Sequence, residues 1–298
     1  MRIKIFIFIL ISQFAFAQTT YVPDDNFEQA LIDLGYDDTL DDYVLTANIS
    51  GVTSLNVSNE GISDLTGIEG FTALTYLNCY GNQLTSLDVS ANTALTTLHC
   101  HYNQLTSLDL SGNTGLTDLR CGNNQLTSLD LSSNPDLLIL IIWSNQISSL
   151  DLSNNSALQN LYCGSNQLTS LDVSNTSLNI FNCTSNQLTY LNVKGLEDQL
   201  NTFTAVDNSL TCIETLDPSW ATANWTYANG NIDEGVTFDV ICGAEARTHW
   251  YVATTGSDAS GSGTPASPLA SIQTAINVTT DGDTVSVSAG TYVENIDF

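Results

Sequence analysis

Two histidines on one predicted strand are the residues with the clearest capacity for metal chemistry. His99 and His101 are two residues apart, so both imidazoles would lie on one strand face and could ligate a metal ion. Only Asp118 is expected nearby, on the next strand but not directly beside either histidine, and no third ligand is evident. The pattern therefore favours a polar surface patch over a metal site.

Clustered carboxylates are a second candidate for cation chemistry. Asp37, Asp38, Asp41 and Asp42 could hold calcium, but the stretch lacks the spaced loop with its closing glutamate. A solvated acidic turn is therefore favoured, and calcium stays the alternative. No nucleophilic triad, phosphate-cradling loop or paired catalytic carboxylate stands out, so we predict no cofactor and no enzyme within this chain.

A repeat of 20–22 residues must position these side chains. Its pattern is set by Leu74, Leu77, Cys79, Asn82 and Leu84. A degenerate first copy starts at Val52, and later copies start at Leu95, Leu116, Leu137, Leu158, Leu178 and Leu200. This is the leucine-rich-repeat pattern, and it predicts a mainly β, curved solenoid of about eight coils.

Each repeat column has a physical role. The segment around Leu77 and Cys79 predicts a short parallel strand whose inward residues stack on neighbouring coils. Asn82 is predicted to satisfy buried backbone groups at the turn, because its amide both donates and accepts. The second half of each coil alternates leucine with an outward aspartate, which predicts a convex column of Asp88, Asp109, Asp130, Asp151 and Asp172.

Five cysteines follow the period of the repeat: Cys79, Cys100, Cys121, Cys163 and Cys183. In-register neighbours would be about 4.8 Å apart with parallel side chains, whereas a disulfide needs β-carbons about 3.8 Å apart. We therefore predict a ladder of reduced thiols. The cysteine-bearing repeat resembles the internalin family of bacterial surface proteins, especially the internalin J type. The resemblance covers roughly 50–210 and implies an extracellular binding solenoid.

The two ends of the chain predict export and capping. Residues 1–17 have a basic start, an apolar stretch and a small-residue cleavage site, which predicts a signal peptide and a secreted or cell-surface protein. Residues 18–50 predict a helical N-terminal cap before repeats at 51–211. Its helix would begin with a capping box of Asp25 and Glu28 and would carry Phe27, Ala30, Leu31 and Leu34 on one face. Residues 212–247 predict a C-terminal cap closed by a Cys212–Cys242 disulfide.

The last segment, 248–298, has a different composition. Its strand from Trp250, its predicted helix near Pro268 to Ile276 and its Gly282-Asp283-Thr284 strand resemble the start of right-handed parallel β-helix proteins of the pectate-lyase-like superfamily. A β-helix needs several coils to bury its core, so we expect the sequence to be a fragment whose β-helix continues beyond Phe298.

The charge balance limits the partners. The 298 residues contain 5 basic and 32 acidic side chains, a net charge of −27, which excludes nucleic acid as a partner. No later stretch predicts a membrane span, and we expect a monomer.

The residues that vary between coils on the concave face are the candidate binding site. Exposed aromatic residues and arginine are common interface anchors. The predicted site residues are Tyr76, Tyr80, His99, His101, Tyr102, Arg120, Ile141, Trp143 and Tyr162. We predict that they bind a protein or polysaccharide in adhesion or recognition. Scattered surface aromatics without a partner are one alternative. The other is a targeting module of a multidomain polysaccharide-degrading enzyme.

Overall fold

A computed structural model describes residues 18–243 and 248–297. The repeats form a β-solenoid of about nine turns, against the eight coils counted in the sequence. The predicted signal peptide at residues 1–17 lies outside the described residues.

The N-terminal region pairs two strands and two helices. The elements are β1 (Thr19–Tyr21), α1 (Asp25–Asp33), β2 (Tyr43–Leu45) and α2 (Thr46–Ile49), and β1 is antiparallel to β2. Phe27 of α1 is buried and its ring centroid lies 6.4 Å from that of Phe71, so the helix packs against the first coils.

The prediction that Asp25 and Glu28 form a capping box is wrong. Asp24, and not Asp25, caps α1, because its Oδ1 accepts hydrogen bonds from the backbone N–H groups of Asn26 and Phe27. The buried Glu28 instead accepts hydrogen bonds from backbone N–H groups in the 41–43 segment, and so ties the helix to β2.

The buried face of α1 is shorter than predicted. Phe27, Ala30 and Leu31 are buried, whereas the side chain of Leu34 is 46% exposed. Leu34 lies at the C-cap, where Gly35 takes a left-handed φ of +79° and the chain turns away from the core.

The main sheet takes one strand from each of the eight predicted repeats, all parallel and in chain order. Its strands are β3 (Ser54–Asn56), β4 (Tyr76–Asn78), β5 (Thr97–His99), β6 (Asp118–Arg120), β7 (Ile139–Ile141), β8 (Asn160–Tyr162), β10 (Ile180–Asn182) and β12 (Thr202–Thr204). The central residue of each strand, such as Leu98 or Leu119, points into the core and pairs in register with its neighbours. The flanking residues of each strand therefore face outward.

A second, smaller sheet lies along the other half of the last coils. Its strands are β9 (Ser170–Asp172), β11 (Tyr190–Asn192), β13 (Cys212–Glu214) and β14 (Thr237–Asp239). In earlier coils the equivalent segment is not a β-strand, and Asp88 accepts a hydrogen bond of 2.9 Å from the backbone N–H of Ser90, where the next turn begins. Hydrogen bonds from Ser90 also lower the pKa of Asp88. The convex aspartates thus hold turns as well as carrying charge.

Two asparagine columns hold neighbouring coils together. Asn145 donates to the carbonyls of Cys121 and Ile142 and accepts from the Leu126 backbone N–H, which is the predicted role of this column. A second column, which includes Asn92 and Asn113, is also fully buried and donates to backbone carbonyls of the preceding coil.

The cysteine predictions are confirmed. The five ladder cysteines are free and buried, and burial raises the pKa of Cys79, Cys121 and Cys163 to about 12. Cys212 and Cys242 form a disulfide. The ladder thiols are therefore packing groups, and the two out-of-phase cysteines cross-link the region after the repeats.

α3 (Pro218–Asn224) packs on the core of the repeats through the buried Ala221. The last part of the chain has its own small core. It contains β15 (His249–Val252), α4 (Ile272–Val278) and β16 (Thr284–Val287), and β15 runs parallel to β16. Trp250, Val252 and Leu269 are buried in a cluster separate from the core of the repeats. These elements follow the predicted order of strand, helix and strand.

Candidate functional site

The outward side of the eight-stranded sheet carries the predicted site residues. We call this surface the sheet face, defined by the first and last residue of each strand and the outward residues that follow. Tyr76 begins β4, and His99, Arg120, Ile141 and Tyr162 end β5, β6, β7 and β8. Tyr80, His101 and Trp143 come two residues after their strands, and Tyr102 lies in the turn beyond His101.

Six of these nine side chains form one connected group of rings, which we call the ring cluster: Tyr76, Tyr80, His99, His101, Tyr102 and Trp143. The closest ring pair is Tyr80 with His101, with centroids 4.4 Å apart. Tyr102 links Trp143 to the other rings, because the centroid of the Tyr102 ring is 5.4 Å from those of both Tyr80 and Trp143. Edge-to-face pairs such as these hold the rings in defined orientations.

Ile141 and Tyr162 lie beside the ring cluster and are not part of it. Ile141 pairs in register with Arg120 on one side and Tyr162 on the other. Among the described residues, Tyr162 makes no ring contact. The structure therefore brings together seven predicted residues, counting Arg120, and leaves these two as neighbours on the same face.

One glycine makes room for Trp143. Gly122 occupies the equivalent position in the preceding coil. A Cβ atom at Gly122 would lie 3.0 Å from the Trp143 indole nitrogen, so the ring covers this glycine. The lack of a side chain at Gly122 lets the indole lie across the sheet toward Tyr102.

Tyr102 adopts a backbone conformation that is unfavourable for a bulky residue. Its φ is +55°, in the left-handed region. The equivalent positions in other coils are Asn59, Gly81, Asn123, Ser144, Ser165, Ser185 and Asp207, which are small or readily left-handed residues. A tyrosine here is held in a strained conformation, and its side chain is 47% exposed.

Arg120, predicted as a binding residue, is paired with a carboxylate of its own strand. Its Nε and Nη2 donate to the two carboxylate oxygens of Asp118, at 3.0 and 2.9 Å. Asp118 Oδ2 also lies 3.4 Å from Nε2 of His99. Asp118 was missed as a site residue, although alternation along β6 places it on the same face as Arg120. The pairing lowers the pKa of Asp118 despite its partial burial and raises that of Arg120.

His101 is held in its neutral form. Burial lowers its pKa to about 4, and the nearby His99 and Arg120 act in the same direction. Its Nδ1 is buried without a hydrogen-bond partner. The described residues contain no group of three or more histidine, cysteine or acidic side chains placed to hold a metal ion.

The acidic turn between α1 and β2 contains the carboxyl group of Asp37, whose pKa is shifted. Burial and the carboxylates of Glu28, Asp38 and Asp41 raise the pKa of Asp37. Among the described residues, the carboxylates of this turn are likewise not placed to hold a metal ion as a group of three or more.

Comparison with known proteins identifies the repeats. Residues 93–135 match the family described as Leucine Rich repeats (2 copies). Internalin J of Listeria monocytogenes serotype 4b (strain F2365) is 38% identical over 72 residues, which cover 24% of this chain and 8% of internalin J. The chain therefore spans a small part of that relative.

Two solved structures have a similar fold. The functional domain of InlJ from Listeria monocytogenes, which includes a cysteine ladder, is 33% identical with a TM-score of 0.53; the match covers 67% of this chain and 52% of that one. The internalin InlF from L. monocytogenes str. 4b F2365 is 23% identical with a TM-score of 0.57, covering 67% and 66%, and shows the fold alone. The chain carries leucine-rich repeats and is internalin-like over them. In the described residues, no helix is long and apolar enough to cross a bilayer.

Proposed function

We propose that this chain is an exported recognition or adhesion protein that binds a protein partner through the ring cluster on its sheet face. The observation that carries the proposal is Tyr102, a partly exposed tyrosine held at a left-handed position where other coils have small or polar residues. The fold requires no aromatic residue there. A residue kept against backbone preference at one position of a regular scaffold is typical of a functional site.

The geometry of the ring cluster fits an interface hot spot. Tyrosine and tryptophan supply large contact areas with few rotatable bonds, and their edge-to-face contacts order the rings before a partner arrives. Within the described residues, the hydroxyl groups of Tyr76, Tyr80 and Tyr102 make no hydrogen bond, so they are available to a partner. Similarity to internalin J, together with the signal-peptide pattern at 1–17, supports export to the cell surface or medium.

The proposal is tested by screening the chain and its Trp143→Ala variant on protein and glycan arrays. We expect protein ligands whose binding weakens at least tenfold in Trp143→Ala, since hot-spot residues contribute about 2 kcal/mol or more. Tyr227→Ala is the matched control, because Tyr227 is 62% exposed, lies in the segment after β12 and is not part of the ring cluster. Equal loss with both variants, or unchanged binding with Trp143→Ala, would contradict the proposal.

A second candidate is delivery of a polysaccharide-degrading domain to its substrate. It is supported by the parallel pairing of β15 with β16, with α4 between them, which agrees with the β-helix resemblance of 248–298. Glycan ligands that bind independently of Trp143 on the same arrays would favour this function over protein recognition.

A further inference from the structure

The charged pair beside the ring cluster is neutral as a unit, although the chain as a whole has a net charge of −27. Asp118 and Arg120 are the acidic and basic side chains at the outward strand positions of β4–β8. They neutralise each other in a bidentate salt bridge. His101 at the centre of the ring cluster is uncharged at neutral pH, because its pKa is about 4. A ligand at the ring cluster therefore meets aromatic rings, beside a guanidinium that is already paired with a carboxylate.

An anionic ligand finds little to bind on this face. Nε and Nη2 of Arg120 already donate to Asp118, so the guanidinium cannot offer them to a carboxylate or sulfate without breaking that pair. Anions also approach against the field of the acidic chain. Both features disfavour acidic peptides and acidic glycans.

A cationic group meets the opposite conditions. The faces of aromatic rings carry partial negative charge and attract ammonium and guanidinium groups, most strongly at tryptophan. Trp143, Tyr102 and Tyr80 follow one another with neighbouring centroids 5.4 Å apart, so one side chain can contact more than one ring. The acidic chain additionally steers cations toward the protein.

We infer that the ring cluster binds an arginine or lysine side chain presented by a basic protein partner. The inference rests on the proposed function and specifies the chemistry of the group that enters the site. Recognition would combine contact with the faces of Trp143 and Tyr102 and hydrogen bonds to the free tyrosine hydroxyl groups. The Asp118–Arg120 pair would remain intact and form the edge of the site.

The test uses the full chain and capped tripeptides with arginine, glutamate or leucine between two glycines, monitored by NMR. The four tryptophans, Trp143, Trp220, Trp225 and Trp250, supply indole N–H signals, and only Trp143 is in the ring cluster. We expect the arginine peptide to shift the Trp143 signal in a saturable, millimolar titration. The signals of the other three tryptophans should stay in place.

Matched variants separate the ring face from simple apolar contact. Trp143→Phe keeps an aromatic face, whereas Trp143→Leu removes it, and the signals of Tyr102 report binding in both. We expect the arginine peptide to bind Trp143→Leu about two- to fivefold more weakly than wild type, with Trp143→Phe in between. Trp143 is partly exposed, so both variants should fold.

Each other outcome overturns the inference. A Trp143 shift with the leucine peptide alone would keep the site but make its ligand apolar, leaving the proposed function intact. A stronger response to the glutamate peptide would make Arg120 the receptor. Equal shifts of all four indoles would show only general attraction to an acidic protein, and no shift with any peptide would reject a cation site.

Discussion

The repeats from Ser54 to Thr204 and the region after Cys212 are stabilised in different ways. In the repeats, each coil uses the same asparagine and cysteine columns, and one carbonyl accepts from two coils: that of Cys121 accepts from both Asn124 and Asn145. The later region continues the smaller sheet with β13 and β14, but it is also held by cross-links that occur once, such as the Cys212–Cys242 disulfide. Neighbouring coils therefore compensate in part for the loss of one contact in the repeats, whereas the loss of a single cross-link after them has no such compensation.

The single contacts of the later region join it to the last coils. The fully buried Lys194 lies 2.9 Å from Glu214, whose other oxygen accepts from the Cys242 backbone N–H. Trp225 packs on Phe203 with centroids 4.6 Å apart. A buried charge without its partner is costly, so these contacts depend on one another.

The largest effect is expected from removing the disulfide. In the Cys212→Ala/Cys242→Ala variant, the free energy of unfolding should fall by about 3 kcal/mol, because the unfolded chain is no longer constrained over a 30-residue separation. Hydrogen exchange should accelerate in β13 and β14 and stay unchanged in β4–β8. Reductant should destabilise the wild type and leave the variant unaffected, since its other cysteines are already free. Equal acceleration across both regions would show that they unfold as one unit.

A smaller effect is expected from the shared ladder. Asn145→Ala should lower the free energy of unfolding by about 2 kcal/mol, because the Leu126 backbone N–H loses its acceptor in the core. The Cys121 and Ile142 carbonyls each keep a second asparagine donor, Asn124 and Asn166. The control is the exposed Asn154, where alanine should change stability by less than about 0.5 kcal/mol. Urea unfolding measures both, and similar values would contradict a structural ladder.

The same contrast explains what the sequence could predict. The columns recur in every coil, so the positions of Leu77, Cys79 and Asn82 could be predicted from periodicity alone. The ring cluster could be predicted only as a set of outward residues. Its contacts depend on how long side chains such as Trp143 lean across neighbouring coils, which alternation does not specify.

Other features could not be predicted for identifiable reasons. The left-handed conformation of Tyr102 can be recognised only from the residues at the equivalent position of other coils. Gly81 and Ser144, which occupy that position, are small. Alternation along β6 gives the position of Asp118 but not the direction of its side chain. The contact of Asp118 with Arg120 therefore could not be predicted. In α1, Asp24 and Asp25 are adjacent and both can cap a helix, and the buried Glu28 decides between them by binding the 41–43 segment.

The smallest expected change in stability comes from comparing an ordinary position of the repeats, Ser144, with the equivalent position in the ring cluster, Tyr102. Ser144 and Tyr102 share the left-handed position, with φ of +53° and +55°. Ser144→Gly should stabilise the protein by about 1 kcal/mol, because glycine adopts this conformation without steric cost.

Tyr102→Gly gains the same backbone relief but loses the ring contacts with Tyr80 and Trp143, each contributing about 0.5–1.5 kcal/mol. Its net change in stability should therefore fall below that of Ser144→Gly, and the difference measures how strongly the ring cluster is held together. Equal stabilisation in thermal unfolding would mean that Tyr102 makes no cohesive contact. Its retention against backbone preference would then rest on partner binding alone, which the Trp143→Ala comparison tests independently.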